Sequence, residues 1–321
     1  MDYIPLFRRE VLAFESAVRR AAAEEQSRAE PDRGLMVPSC PEWSVAELVM
    51  HLGGVQRGVS RIVGDRLSEL PEMPKTPKMP KTPEPMEPMG PMGPMEPEES
   101  TEPEESKKTA EGAEGAEGVE GADLRFLELP VDLTGWPLPG SDAVGGPVPP
   151  GLIDWFARGA SALAALFESV DTTEAVWTYG QDRTIGFWVR VQSIEAAIHR
   201  WDAEGAIGAA RPIDAELAAD AVRQTFEVMA PARREWTRAP QGAGERYRFR
   251  QTDGVGDWAV EFDGGDVRLG PGGLEPCDVE VAGTASDLML FLWHRIPADR
   301  LAGVKGDRET LDRWFTLVPP V

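Results

Sequence analysis

The chain has 321 residues, and its 33 Lys and Arg against 55 Asp and Glu give a formal net charge of −22. This charge argues against nucleic acid and an anionic membrane surface as partners, because both are bound through clustered Lys and Arg. No apolar run approaches the roughly 18 residues that span a bilayer, the N-terminal residues lack the pattern of a secretory signal, and two cysteines are too few for a disulfide framework. We therefore expect a cytoplasmic protein whose length allows two domains.

Two amphipathic helices are predicted in the first part of the chain. Apolar residues recur at helical spacing from about Ile4 to Glu25, which favours a helix with one buried face. A second helix is expected to begin at Ser44, because a serine followed three residues later by Glu47 forms a capping box. An apolar stripe then continues to about Arg66, so this helix should also bury one face.

Residues 71–123 differ in composition from the rest of the chain. They hold 11 of the 29 Pro, no aromatic residue, and 14 acidic residues against five Lys, so they carry −9 of the net charge. The repeats MPKTP and EPEES each occur twice. Such a segment cannot bury enough apolar surface to offset the entropy of ordering it. We predict a disordered low-complexity insert that acts as a solvated linker, with an acidic interaction segment as the alternative.

Two further helices are predicted after the insert. They span about Leu152 to Ser169 and about Ile185 to Glu204, and each has an apolar stripe. Four amphipathic helices with one long crossover between the second and the third describe a four-helix bundle. We therefore assign residues 1–70 and 124–208 to one bundle.

The pattern changes in the last third of the chain, and we assign residues 209–321 to a small α+β domain. One more helix, from about Ala215 to Met229, precedes four strand-like segments separated by Gly-containing turns. These segments are RYRFRQ, DWAVEF, DVRL and CDVEV. An apolar helix is expected from near Thr284 and a closing helix from about Arg308 to Phe315. Strands in succession with helices at both ends indicate the α+β class.

Two of the three histidines lie at positions that suggest a metal site. His51 lies within the apolar stripe of the second predicted helix, and Glu195 and His199 share one face of the fourth. Facing helices of a bundle use such inward His and Glu as metal ligands, and three protein ligands with an open position are typical of catalytic Zn²⁺. A Glu and a His at this spacing also form ordinary hydrogen bonds, which is the alternative. Asp202 is either an acceptor for a ligand imidazole or a helix-end charge paired with Arg200.

Two motifs resemble those of a known family. The segment VPSCPEWSVAELVMHLGGVQR resembles the N-terminal signature of the mycothiol-dependent maleylpyruvate isomerase family, a branch of the DinB-like metal-binding four-helix bundles. The matching positions are Pro38, Ser39, Cys40, Pro41, Trp43, Ser44, Val45, His51, Leu52 and Gly53. The segment EAAIHRWDAEGAIG resembles the second family signature, and VAGTASDLMLFLWHR resembles the sterol-carrier-like C-terminal domain of the family. The resemblance, over about 1–70 and 150–321, implies a DinB-like bundle followed by this α+β domain.

The resemblance also implies a function. It makes His51, Glu195 and His199 the metal ligands, with Zn²⁺ or another divalent metal as cofactor and mycothiol as co-substrate. It implies an enzyme in which this low-molecular-weight thiol adds to a small electrophilic substrate, as in maleylpyruvate cis–trans isomerisation. A mycothiol S-transferase acting in detoxification and a non-catalytic metal- or small-ligand-binding protein are the alternatives.

The remaining candidate residues carry weaker signals. Cys40 precedes the cap of the second helix, where we expect a packed thiol rather than a nucleophile or a fourth ligand. Cys277 lies in a strand-like segment and is expected in the core, and His294 ends an apolar helix, where a packed or helix-end residue is expected. Trp43 and Trp188 are near the predicted ligands in sequence and are candidates for the pocket wall.

Deleting residues 71–123 should leave both the fold and the divalent-metal content of the chain unchanged, because a solvated linker supplies neither core side chains nor ligands. The measurements are the thermal unfolding midpoint and elemental analysis of the shortened chain beside the full-length protein. Loss of bound metal, or of the cooperative unfolding transition, would contradict the assignment of this segment as a linker.

Overall fold

The fold begins with four long helices, as the sequence predicts. They are α1 (Tyr3–Ser27), α2 (Val45–Gly64), α3 (Leu152–Ser169) and α4 (Ile185–Ala206). The structure is a computed structural model that describes residues 1–28, 32–69, 124–138, 144–272 and 276–319. The insert predicted at 71–123 therefore lies outside the described residues.

The four helices pack as a bundle through their apolar stripes. Helix α1 packs against α3 and α4, and α2 packs against the same two helices from the other side. Aromatic pairs join α1 to α3: the ring centroids of Phe14 and Phe156 are 4.8 Å apart, and those of Phe7 and Phe167 are 5.7 Å apart. All four rings are buried. The predicted four-helix bundle is confirmed.

Helix α2 starts at the predicted capping box. The backbone N–H of Glu47 donates to the Ser44 hydroxyl at 3.4 Å, and the backbone N–H of Ser44 donates to the Glu47 carboxylate at 2.7 Å. A hairpin of β1 (Met36–Val37) and β2 (Cys40–Ser44) leads directly into this helix. The sequence did not predict the hairpin, because two very short strands with Pro41 inside one of them give no alternating pattern.

The C-terminal part of the chain is an α+β arrangement, so the predicted fold class is confirmed. Its elements are α5 (Ala215–Gln224), a π turn (Thr225–Met229), α6 (Ala230–Thr237), β3 (Gly242–Gln251), β4 (Asp257–Gly264), β5 (Asp266–Pro271), β6 (Val279–Gly283), α7 (Ala285–Leu292), β7 (Gly303–Gly306) and α8 (Arg308–Leu317). The sheet order is β5-β4-β3-β6-β7, and every neighbouring pair is antiparallel except β3 and β6, which are parallel. Strand β7 was not predicted, because four mostly exposed residues with glycine at both ends lack an apolar alternation.

The helix expected to end at Met229 continues for another eight residues as α6. A regular helix would be interrupted here, because Pro231 lacks an N–H and its ring clashes with the carbonyl four residues earlier. The π turn resolves this conflict: the N–H of Ala230 bonds to the carbonyl of Thr225, five residues back. The chain can then enter a new helix with the proline in its first turn.

Two hydrophobic cores lie under these elements. One is built by the bundle helices, and the other lies between the sheet and helices α5 to α8, where Trp314 packs against the rings of Phe226, Phe249 and Phe262. Helix α4 contributes Val191 to the first core and Ile198 to the second. The division of the chain at 208/209 therefore stays a prediction. Among the described residues, no helix combines the length and apolarity that crossing a membrane requires.

Two adjacent glycines of α2 should respond to substitution in opposite directions. A Cβ on Gly53 would lie 2.3 Å from the ring of Trp155, which is fixed by a 2.9 Å bond from its Nε1 to the carbonyl of Leu127. A Cβ on Gly54 would meet nothing closer than 4.0 Å. Gly53→Ala should therefore cost about 1–3 kcal/mol through overpacking, whereas Gly54→Ala should add about 0.5–1 kcal/mol of helix stability. Urea unfolding measures both changes, and shifts in the same direction would contradict this account of the α2–α3 contact.

Candidate metal centre

His51 is the seventh residue of α2, and the β2–α2 connection places an aromatic neighbour beside it. The centroids of the Trp43 and His51 rings are 4.8 Å apart, with the planes tilted by 52°. Both side chains are half-buried. Because β2 runs into α2 at the Ser44 cap without an intervening loop, the position of Trp43 relative to His51 is set by the start of the helix. Trp43 therefore lines the site, as the sequence predicts.

Helix α4 supplies the other two predicted ligands from adjacent turns of one face. His199 Nε2 lies 3.4 Å from Glu195 Oε2, and the His199 ring meets the ring of His51 edge-on at a centroid distance of 5.2 Å. One ligand atom from each of the three residues lies within 4.8 Å of the others. The structure thus brings together the three residues that the sequence singled out.

Asp202 contacts the nitrogen of the His199 ring that lies away from Glu195. Its Oδ2 lies 3.0 Å from His199 Nδ1, and since an ionised carboxylate only accepts hydrogen bonds, the ring donates from Nδ1. Arg295 also donates to both carboxylate oxygens, and the Ser39 hydroxyl donates to Oδ1 at 2.6 Å. Arg200, the other partner considered for Asp202, instead pairs with Glu10 and with the neighbouring Glu204. Of the two roles considered for Asp202, this geometry favours that of a hydrogen-bond acceptor for the imidazole of His199.

The electrostatics leave His51 and Glu195 in forms suited to bind a cation, whereas His199 holds its ring proton more tightly than a free imidazole does. Burial, with the charge of His199 added, lowers the pKa of His51 to about 3, so its ring is neutral. Burial would raise the pKa of Glu195, but its bond and charge interaction with His199 outweigh burial and hold that pKa below its usual value. Burial would also lower the pKa of His199, but Asp202 and Glu195 outweigh it and raise the pKa. Burial would raise the pKa of Asp202, but Arg295 and His199 keep it low, so this carboxylate stays charged.

The separation of the two candidate ligands on α4 fits a divalent ion. Two ligands at roughly 2.1 Å from a tetrahedral ion are about 3.4 Å apart, which equals the separation of His199 Nε2 and Glu195 Oε2. This separation is long for a direct ion pair between the two groups. Two imidazoles and one carboxylate suit Zn²⁺ and other borderline divalent ions, and three protein ligands leave room for an exogenous one.

The other residues flagged by the sequence lie outside the cluster. Cys40 is buried next to it, and burial raises the pKa of its thiol to about 11, which leaves it a protonated, packed thiol. Cys277 is only half-buried and precedes β6, so its expected core position is wrong. His294 follows the end of α7 and is a packed residue, as expected. Its Nε2 lies 3.2 Å from the carbonyl oxygen of Val318. Trp188 donates to the carbonyl of Trp177 and packs among aromatic rings.

Sequence reasoning missed the residues that the C-terminal part brings to the site. Arg295 reaches Asp202 from 93 positions away, and Arg233 is close enough to interact electrostatically with Glu195. A charged residue shortly after an apolar helix, as Arg295 is three residues after the end of α7, was the one available signal. Ser39 lay inside the first family motif but had no assigned role.

The fold and the cluster together define a class of protein: a four-helix bundle with an inward His–Glu–His set, followed by an α+β domain. A family model described as the mycothiol maleylpyruvate isomerase N-terminal domain matches residues 11–144 and 141–204, and one described as the MDMPI C-terminal domain matches 216–313. The chain therefore belongs to the mycothiol maleylpyruvate isomerase family, as its motifs predict. Comparisons with curated proteins and with solved structures found no match.

Asp202→Asn should lower the affinity of the chain for a divalent ion by about 10- to 100-fold, the usual effect of losing the partner that orients a ligand histidine. An amide is a weaker acceptor for the His199 Nδ1–H than a carboxylate is. Competition with a chromogenic chelator measures the affinity, on variant protein shown by circular dichroism to be folded.

Asp220→Asn is the matched control, because Asp220 also pairs with an arginine, Arg190, and accepts from Tyr3, but away from the cluster. Its metal affinity should equal that of the wild type. Equal affinities in the two variants would show that Asp202 does not orient a ligand.

Proposed function

We propose that this protein is a divalent-metal-dependent enzyme, with Zn²⁺ as the preferred ion, that activates mycothiol for addition to a small electrophile. His51, Glu195 and His199 would hold the ion. The observation that carries this proposal is the convergence of these three side chains from α2 and α4 to within 4.8 Å in a chain of the mycothiol maleylpyruvate isomerase family. A bound divalent ion supplies positive charge that lowers the pKa of a nearby thiol, so that thiolate forms near neutral pH.

The residues of the chain orient and shield this site. Asp202 accepts from Nδ1 of His199 and so keeps the Nε2 lone pair directed at the cluster. The Trp43 ring covers one side of His51, which limits the water that reaches the site. Less water strengthens every charge interaction there.

The reaction that we propose for the activated thiol is cis–trans isomerisation. The thiolate sulfur adds to one carbon of a cis double bond that is conjugated to a carbonyl group, and the double bond becomes a single bond. Rotation about this bond and elimination of the same thiolate give the trans isomer and regenerate the thiol. The family description supports this reaction type for a small electrophilic substrate. We place the enzyme in the cytoplasm, where thiols are kept reduced, in keeping with two unpaired cysteines.

Purified protein should contain about one divalent ion per chain and should bind mycothiol, and His51→Ala should lose both properties, since it removes one of three ligands. Elemental analysis measures the ion, and calorimetric titration measures the thiol. Turnover of a cis-configured electrophile should require added mycothiol.

His294→Asn is the matched control, because this histidine lies outside the cluster, and asparagine tolerates its φ of 61°. The control should keep a full complement of metal and its thiol binding. A wild-type protein without metal, or a His51→Ala variant with wild-type metal content, would disprove the proposal.

A further inference from the structure

Arg233 is a buried arginine whose guanidinium has no hydrogen-bond or ion-pair partner among the described residues. The residue is only 6% exposed. Across the described ranges its guanidinium makes no hydrogen bond and no ion pair, and its Nε is sealed from solvent. Its one direct contact of note is with Trp293, whose ring centroid lies 5.1 Å from Cζ.

This isolation is unusual among the arginines of the chain. The other buried arginines in the described residues are Arg57, Arg200 and Arg234, and each donates at least one hydrogen bond. Arg234, the next residue along α6, donates to three backbone carbonyls. Burying a charge without a partner is costly, so an unpartnered guanidinium indicates a place for a partner that the described residues do not supply.

Arg233 faces the candidate metal centre. Burial lowers the pKa of its guanidinium to about 10, and the carboxylate of Glu195 opposes this lowering, which places the two charges near each other. One turn earlier, Met229 accepts from the hydroxyl of Tyr179 at 3.5 Å, and the charge of Glu195 also acts on Tyr179. Arg233 also packs over the ring of Trp293, whose backbone carbonyl accepts from Arg295, the partner of Asp202.

We propose that Arg233 binds a carboxylate group of the small substrate and so selects anionic electrophiles. A carboxylate is planar and accepts two parallel bonds from a guanidinium. A ligand carboxylate would supply the countercharge that Arg233 lacks among the described residues. That the bound carboxylate belongs to a substrate rests on the proposed function, whereas the binding of a carboxylate by Arg233 does not.

The test compares a charged and a neutral probe of the same size. Calorimetry of the full-length protein should give an affinity for succinate that falls by about 10-fold or more in Arg233→Met, because a charge-assisted bidentate contact is lost. Binding of succinamide should not change. The variant should also unfold at a temperature about 2–4 °C higher, because an unpaired buried charge has been replaced by an apolar side chain of similar length.

Arg234→Met is the matched control on the same helix. It removes donors from three carbonyls, so it should lower the unfolding temperature and leave the succinate affinity of the folded protein unchanged. Unchanged succinate affinity in Arg233→Met would overturn the proposal. A lower unfolding temperature with equal affinities for succinate and succinamide would overturn it as well, and would make Arg233 a packing residue.

The metal content of each sample separates this inference from the proposed function. In His51→Ala, the Arg233-dependent part of succinate binding should persist after the metal is lost. Absence of metal from every sample would refute the proposed function, and the difference between wild type and Arg233→Met would still decide whether a carboxylate binds here.

Discussion

The candidate centre depends on one buried carboxylate, that of Asp202. A charge with no solvent exposure is stable only when donors surround it, and three residues do so here: His199, Arg295 and Ser39. They come from the bundle, from the segment after α7 and from the turn between β1 and β2. The orientation of one candidate ligand is therefore tied to the packing of distant parts of the chain. The bundle alone would leave Asp202 without its main countercharge.

Local signals in the sequence predicted the elements that carry the site. The Ser44–Glu47 box starts α2 where expected, and helical spacing correctly put Glu195 and His199 on one face of α4. Their approach to His51 follows from the topology of a bundle with one long crossover. Bundle, sheet and family are confirmed, whereas the role of the three residues as metal ligands stays a prediction.

The contacts that complete the site had no such signal. Arg295 and Arg233 reach it through the packing of α7 and α6, and tertiary contacts over long separations leave no periodicity in the sequence. The missed elements have a related cause. Strand β7 is short and glycine-bounded, and the π turn is a departure from the regular helix that the presence of Pro231 hinted at but did not specify.

The π turn determines more than the passage of a proline. Each residue of an α-helix advances about 100° around the axis, and a π turn adds one residue to the winding. All side chains of α6 are therefore rotated by about that angle relative to an uninterrupted continuation of α5. Without the extra residue, Arg233 would take the direction that Arg234 has now, and Ala232 would take the direction that Arg233 has now. The winding of 225–229 thus decides that Arg234 anchors the backbone and that an arginine, rather than an alanine, lies near Glu195.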